Sequence, residues 1–230
     1  MKFAIIADVH ANLEALQAVL DDAAGQRCTR FAFLGDLVGY CADPKACLDL
    51  IRSMGATCVQ GNHDEYCAAD TTPKGVNPTA AKAIAWTRKQ LVDGDRHWLR
   101  NLPHVETVED FTVVHATLAR PEKWEYVFDS VAAADSLAYQ NTQICFYGHT
   151  HVPVAFVRDT GVRGVTYTKF KLEAGKRYLV NPGSVGQPRD NNPTAAYVIH
   201  DLDEASVELR RLPFDFTETQ RKIREAGLMD

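Results

Sequence analysis

Apolar residues along this chain come in short runs, and most of the runs close on a small residue followed by a side chain that can hold a cation. Phe3-Ala4-Ile5-Ile6-Ala7 runs into Asp8, and His10 follows two positions on. Phe31-Ala32-Phe33-Leu34 ends on Gly35-Asp36, and the run over 57–60 ends on Gly61-Asn62-His63-Asp64. Phe111-Thr112-Val113-Val114 ends on His115, and Ile144-Cys145-Phe146-Tyr147 ends on Gly148-His149-Thr150-His151. Runs this short, without helical periodicity, predict buried strands over 2–7, 31–34, 57–60, 111–114 and 144–147. Between the first three lie helical patterns. One starts at Asn12 and places Leu13, Leu16, Val19 and Leu20 on one face until Gly25. The other starts at Pro44, with Leu48, Ile51 and Met54 before Gly55. Strand, helix, strand, helix, strand is the order of an α/β sheet.

The stretch 65–110 breaks that rhythm. Thr71–Gly75 and Asn77-Pro78 read as loop, and helices are expected over Ala80–Leu91 and Asp95–Leu99, with Trp86 and Trp98 as packing residues. A further helix is expected over 130–139. From 152 onward the pattern is mostly β, with turns at Asp159-Thr160-Gly161 and Glu173-Ala174-Gly175. A hairpin pair follows over 195–201 and 206–212, and a last amphipathic helix runs from Thr217 to Ala226. No repeat or linker interrupts the chain, so 1–230 reads as a single domain with 65–110 as a helical insertion.

In open α/β sheets, ligands bind at the carboxyl ends of strands. Asp8, His10, Asp36, Asn62, His63, His115, His149 and His151 all sit at such ends, so they are expected to crowd into one place. Burying several carboxylates and imidazoles together is costly without a cation. The mixture suits first-row divalent metals, and it offers more ligands than one four-coordinate ion needs. A two-metal site sharing Asp36 accounts for the surplus.

The set Asp8-x-His10, Gly35-Asp36, Gly61-Asn62-His63-Asp64, His115 and Gly148-His149-Thr150-His151 resembles the calcineurin-like metallophosphoesterases, in their bacterial and archaeal phosphodiesterase-like branch. The resemblance covers Met1 to about Arg189. It implies a four-layer α/β/β/α sandwich and two divalent transition-metal ions (manganese, iron, zinc, nickel or cobalt). Asp8, His10 and His151 would hold one ion, Asn62, His115 and His149 the other, and Asp36 would bridge them. It implies hydrolysis of a phosphodiester or a small nucleotide by direct attack of a metal-bridging hydroxide. His63 would protonate the leaving oxygen or steady the phosphoryl group, and Asp64 would orient the His63 ring. The glycine-rich loop Asn181–Arg189 suggests a phosphate grip through Gly183, Ser184 and Arg189, and Asn12 is a candidate either for the site or for a helix cap.

The protein-phosphatase branch departs from this chain. Gly35-Asp36-Leu37-Val38-Gly39-Tyr40-Cys41 lacks that branch's arginine and second aspartate, which counts against a phosphoprotein substrate. Cys41, in the same run, is a candidate neighbour of the pocket. A phosphomonoesterase on the same site is one alternative. Another is a non-catalytic interaction scaffold, as in the retromer subunit that resembles these enzymes, but such scaffolds tend to lose ligands that are all present here.

Composition changes the picture little. A formal charge of −5 and a pI near 5.9 argue against a general nucleic-acid binder, not against a small phosphorylated ligand. The six cysteines form no Cys-x-x-Cys pair and read as reduced, buried thiols, Cys67 among them. No run approaches a membrane span, and a cytoplasmic protein is expected.

Overall fold

In the computed structural model, which describes residues 1–228, the expected runs form strands of two mixed sheets; the last two residues of the expected 1–230 span lie outside the described residues. In the first sheet, β1 (Lys2–Ile6), β2 (Arg30–Phe33) and β3 (Thr57–Cys58) run parallel, joined by α1 (Leu13–Gly25) and α2 (Pro44–Ser53). On the other side of β1 lie β11 (Ala195–Asp201), antiparallel with Lys2 opposite Asp201, then β12 (Ser206–Leu212) and β9 (Lys169–Lys171). The second sheet has the order β4 (Val105–Val108), β5 (Phe111–Val114), β6 (Ile144–Tyr147), β10 (Arg177–Asn181), β7 (Val154–Arg158), β8 (Val162–Val165). There β5, β6 and β10 are parallel and the other pairings antiparallel.

The two-residue period of β1 explains how the layers stack. Phe3, Ile5 and Ala7 face inward and pack with Phe111, Val113, Phe146 and Val180 of the second sheet. Ala4 and Ile6 face outward, onto Leu16 and Val19 of α1 and Leu48 and Ile51 of α2. On the far side, Val114, Cys145, Tyr147 and Leu179 pack against Ala133 and Leu137 of α6 (Ser130–Ala138). The result is the α/β/β/α sandwich.

Three elements were not anticipated, the shortest a single 3₁₀ turn over Pro121–Lys123. Residues Asn62–Ala68 form a two-turn helix, α3, whose polar first turn hides its apolar face. Val105–Val108 forms β4, paired with β5. Within the 65–110 stretch, α4 (Pro78–Gln90) and α5 (Asp93–Arg100) each start two residues before the expected helices. Trp98 packs on the main core and Trp86 on a smaller cluster of Ala11, Cys41, Ala83, Ile223 and Leu228. Cys41 therefore belongs to that apolar cluster. All six cysteines are free and buried. Among the described residues, no helix is long and apolar enough to cross a membrane.

The last helix, α7 (Phe216–Glu225), docks behind the turn that follows β1. Thr219 donates to Glu14 (2.9 Å) and meets Asn12 Oδ1 at 3.2 Å, while the Lys222 ammonium lies between Glu14 and Asp43.

Candidate metal centre and adjoining cleft

The parallel strands of the two sheets deliver their carboxyl ends to one seam. There the backbone turns sharply, through left-handed conformations at Asp8 (φ 54°), His10 (49°), Asp36 (52°), His149 (67°) and His151 (60°). Each such residue costs on the order of 1–3 kcal/mol and persists only where its surroundings force it. Main-chain bonds between turns do so here. His10 N–H donates to the Asp36 carbonyl (2.8 Å), Ala11 N–H to Leu37 (3.0 Å), and Gly148 N–H to His115 (2.8 Å).

These turns converge the side chains into two groups that share one carboxylate. Ligand atoms of Asp8, His10, Asp36 and His151 lie within 4.8 Å of one another, and so do those of Asp36, His115 and His149. The Asp36 Oδ2 atom is 3.5 Å from Nε2 of both His10 and His115. His10 and His151 face each other through Nε2 at 3.1 Å, and His151 Nε2 is 3.4 Å from Asp8. In the second group, His115 Nε2 lies 3.1 Å from Asn62 Oδ1 and 3.2 Å from His149 Nδ1.

The ring orientations are set from behind. His10, His115 and His151 turn their Nδ1 atoms to the carbonyls of Val38 (3.2 Å), Leu34 (2.7 Å) and Gln187 (2.6 Å). A carbonyl can only accept, so each Nδ1 carries the proton and each Nε2 presents a lone pair to the seam. Burial pulls the imidazoles of His10, His149 and His151 well below the ordinary histidine range, and His115 down to about 4. Burial pushes Asp36 up to about 7, and burial together with the neighbouring Asp36 raises Asp8 well above the usual carboxylate range. Neutral rings aiming lone pairs at each other, beside two carboxylates that the Arg189 guanidinium offsets only in part, are a donor set that divalent cations fit. A cation held in the folded state alone stabilises it by about 2.7 kcal/mol at a hundredfold excess over its dissociation constant. At roughly 2–4 °C per kcal/mol for a chain of this size, a chelator should lower Tm by about 5–10 °C, and manganese should restore it. A melting curve indifferent to both would exclude a metal at these residues.

His63 stands beside this set on α3. Its ring is edge-on to His10 (centroids 4.9 Å apart) and tilted against Tyr40 at 4.5 Å, with Gly39 leaving the room it occupies. Burial, then the surrounding imidazoles and Arg189, bring it down to about 3, so the ring is neutral at neutral pH. That favours a hydrogen-bonding part over proton donation. Asp64 does not orient it. The Asp64 oxygens accept from the N–H groups of Leu37 (2.9 Å), Val38 (3.3 Å) and Gly61 (3.0 Å), while His63 Nδ1 has no hydrogen-bond partner. Adjacent residues on a helix point about 100° apart, so an aspartate next to a histidine in sequence clamps loops instead.

Three of the expected phosphate contacts are also structural. Asn12 caps α1, accepting from Ala15 N–H (3.1 Å), and donates to the Gly186 carbonyl (3.1 Å). Gly183 is buried against Pro153 and Ala196, its N–H spent on Asn181 (2.8 Å). Ser184 donates to the Asp8 carbonyl (2.9 Å) and accepts from Gln187 N–H (2.8 Å). The loop after β10 thus fastens the two sheets together at Ala7–Asp8, through Val185 N–H (3.0 Å) and Gly186 N–H (2.9 Å). Arg189 alone of that loop's candidates lines the recess over the two groups, beside Asp36, Asn62, His63, His149 and His151.

This recess, of about 80 Å³, adjoins a cleft of about 320 Å³. Tyr40, Asn62, His63, Asn77, Tyr126 and His149 line both. Lys74, Lys123 and Trp124 line the cleft alone. Tyr126 stacks on His149 at 4.1 Å. Sequence reasoning passed over Lys74, Asn77, Lys123, Trp124 and Tyr126 as chemistry because they lie between the periodic segments.

Comparison with known proteins agrees with this architecture. A family model described as the calcineurin-like phosphoesterase superfamily domain matches residues 1–205. An uncharacterized protein of Methanocaldococcus jannaschii is 37% identical over 225 residues, covering 96% of this chain and 90% of that protein. The crystal structure of a metallophosphoesterase from Sphaerobacter thermophilus matches with a TM-score of 0.90 and 39% identity, covering 100% of this chain and 95% of that one. A symmetrical bis(5'-nucleosyl)-tetraphosphatase of Erwinia tasmaniensis is 30% identical over 125 residues, 53% of this chain and 45% of that protein. With its fold, its seam of Asp, His and Asn side chains and the match of its first 205 residues, the chain belongs to the calcineurin-like phosphoesterase superfamily.

Proposed function

We propose that this protein is a dinuclear metal-dependent phosphoesterase acting on phosphodiesters or small nucleotides, in the cytoplasm. The observation that carries the dinuclear reading is the position of Asp36, whose one oxygen is equidistant, at 3.5 Å, from a histidine of each group. On this reading Asp8, His10 and His151 would hold one ion, Asn62, His115 and His149 would hold the other, and Asp36 would serve both. The ions would supply positive charge to the phosphoryl oxygens and lower the pKa of water, as divalent metals do in hydrolytic sites.

The chain's own residues then have separable tasks. Arg189, at the rim, offers a guanidinium to a phosphoryl oxygen, the grip that the Gly35–Cys41 turn lacks. His63 offers a ring N–H to a phosphoryl or leaving oxygen. Hydrolysis forms one bond from water oxygen to phosphorus and breaks the bond to the leaving oxygen, which takes up a proton. Tyr40, Asn77 and Tyr126 also line the recess and would contact a phosphoester bound there.

The test is a substrate screen with manganese, comparing monoesters, diesters, cyclic nucleotides and dinucleoside polyphosphates. Turnover of a diester or nucleotide is expected. A metal-loaded sample inert toward the whole panel would overturn the enzyme reading in favour of a scaffold. His63→Ala should lower kcat by roughly 10²–10³-fold, the usual cost of one such donor, with metal content unchanged. Loss of metal in that variant would make His63 a ligand.

A further inference from the structure

The recess over the ligands is small, about 80 Å³, and opens into the larger cleft of about 320 Å³. The recess has room for a phosphoryl group and the cleft has room for what that group is attached to. The cleft's walls come from two stretches of chain. One carries Tyr66 on α3 and then Pro73–Asn77, including Lys74; the other carries Lys123, Trp124 and Tyr126. The Trp124 indole N–H donates to Glu65 on α3 at 2.7 Å, which holds the two walls at a fixed separation.

The chemistry of these walls is unusual for this surface. Tyr66, Trp124 and Tyr126 bring three aromatic side chains to one opening, and Tyr126 is 48% exposed. Lys74 and Lys123 are both exposed, and neither is paired with a carboxylate among the described residues. Five other lysines, Lys45, Lys169, Lys171, Lys176 and Lys222, meet an Asp or Glu, while Lys2 meets a backbone carbonyl and Lys89 meets no carboxylate among the described residues. A flat apolar ligand suits the rings, and a second anionic group, away from the one at Arg189, suits the unpaired ammonium groups. A phosphoprotein offers no flat base, and a simple phosphate ester offers no second charge.

We propose that this cleft is a leaving-group subsite for a nucleoside polyphosphate: the base lies among Tyr66, Trp124 and Tyr126, and Lys74 and Lys123 hold the phosphates that are not being cleaved. The proposal rests on the phosphoesterase reading for its kinetic consequence but not for binding. Binding is read with ADP as probe, in the presence of a chelator, through quenching of tryptophan fluorescence. Trp86 and Trp98 are packing residues, so Trp124→Phe identifies the signal. ADP should quench Trp124, and Lys74→Ala/Lys123→Ala should raise its Kd about tenfold, by the loss of two exposed charge contacts. With manganese, the same double variant should lower the ratio of kcat/KM for diadenosine tetraphosphate to that for bis-p-nitrophenyl phosphate about tenfold. An unchanged ratio together with unchanged ADP binding would overturn the proposal. So would displacement of ADP by a phosphoserine peptide of comparable affinity. If no phosphoester is hydrolysed yet ADP binds and the lysine variant weakens it, the hydrolytic reading fails and the subsite stands.

Discussion

Asp36→Asn should abolish most turnover, on the order of a thousandfold or more, and, on the proposed dinuclear reading, should abolish metal retention. The amide keeps the size of the carboxylate and an oxygen that can accept from His63 N–H, as Asp36 Oδ1 does at 2.8 Å. The fold should therefore survive. What disappears is the negative charge at Oδ2, which both ligand groups share. An amide nitrogen there would face the Nε2 lone pairs of His10 and His115 with hydrogens in place of a charge. Metal content by elemental analysis and kcat on the best substrate of the screen decide the matter. Normal values for both in the purified variant would end the bridging assignment.

Gly61→Ala should be nearly as damaging, by a different route. A Cβ on Gly61 would lie 2.2 Å from both the amide nitrogen and Oδ1 of Asp36. Neither atom can withdraw, because Asp36 is held in a left-handed turn and its Oδ1 is bonded to His63 N–H. The loops after β2 and β3 must separate, at about 3 kcal/mol, and the shared carboxylate moves with them. Tm should fall by roughly 6–12 °C and metal affinity should fall with it. Gly94→Ala in α5, where nothing lies within 4 Å, should leave both unchanged. A Gly61→Ala protein as stable and as metal-rich as the Gly94→Ala control would mean that the two loops do not approach so closely.

These two glycine-flanked turns also explain which parts of the site were legible beforehand. Asp8, Asp36, His115 and His149 could be read because strands bury every residue, so a polar residue at a strand end needs a reason to be there. The helix α3 was missed because its seven residues begin with ligands and caps, leaving no periodic face to read. Asp64, Ser184 and Gly183 were assigned to chemistry because their residue types suit it, but the backbone groups that consume them come from distant turns and leave no trace in local sequence. Arg189 was legible by its loop, whereas Lys123, Trp124 and Tyr126 meet Lys74 and Tyr66 only through the fold.

The pairing of β1 with β11 carries a consequence for how the protein comes into being. Lys2 is matched to Asp201, and β1 lies between β2 and β11 in the sheet that delivers Asp8. The histidines of the second group follow β5 and β6, and the loop that fastens Asp8 comes after β10. Contacts so distant in sequence form slowly, because their loop entropy is spent before they are rewarded. During synthesis the Asp8 and Asp36 carboxylates exist for most of the chain's length without the histidines that complete their groups. High-affinity metal uptake should therefore be a late event in refolding, arriving with the closing of the two sheets, and so serve as a clock for the last step of assembly.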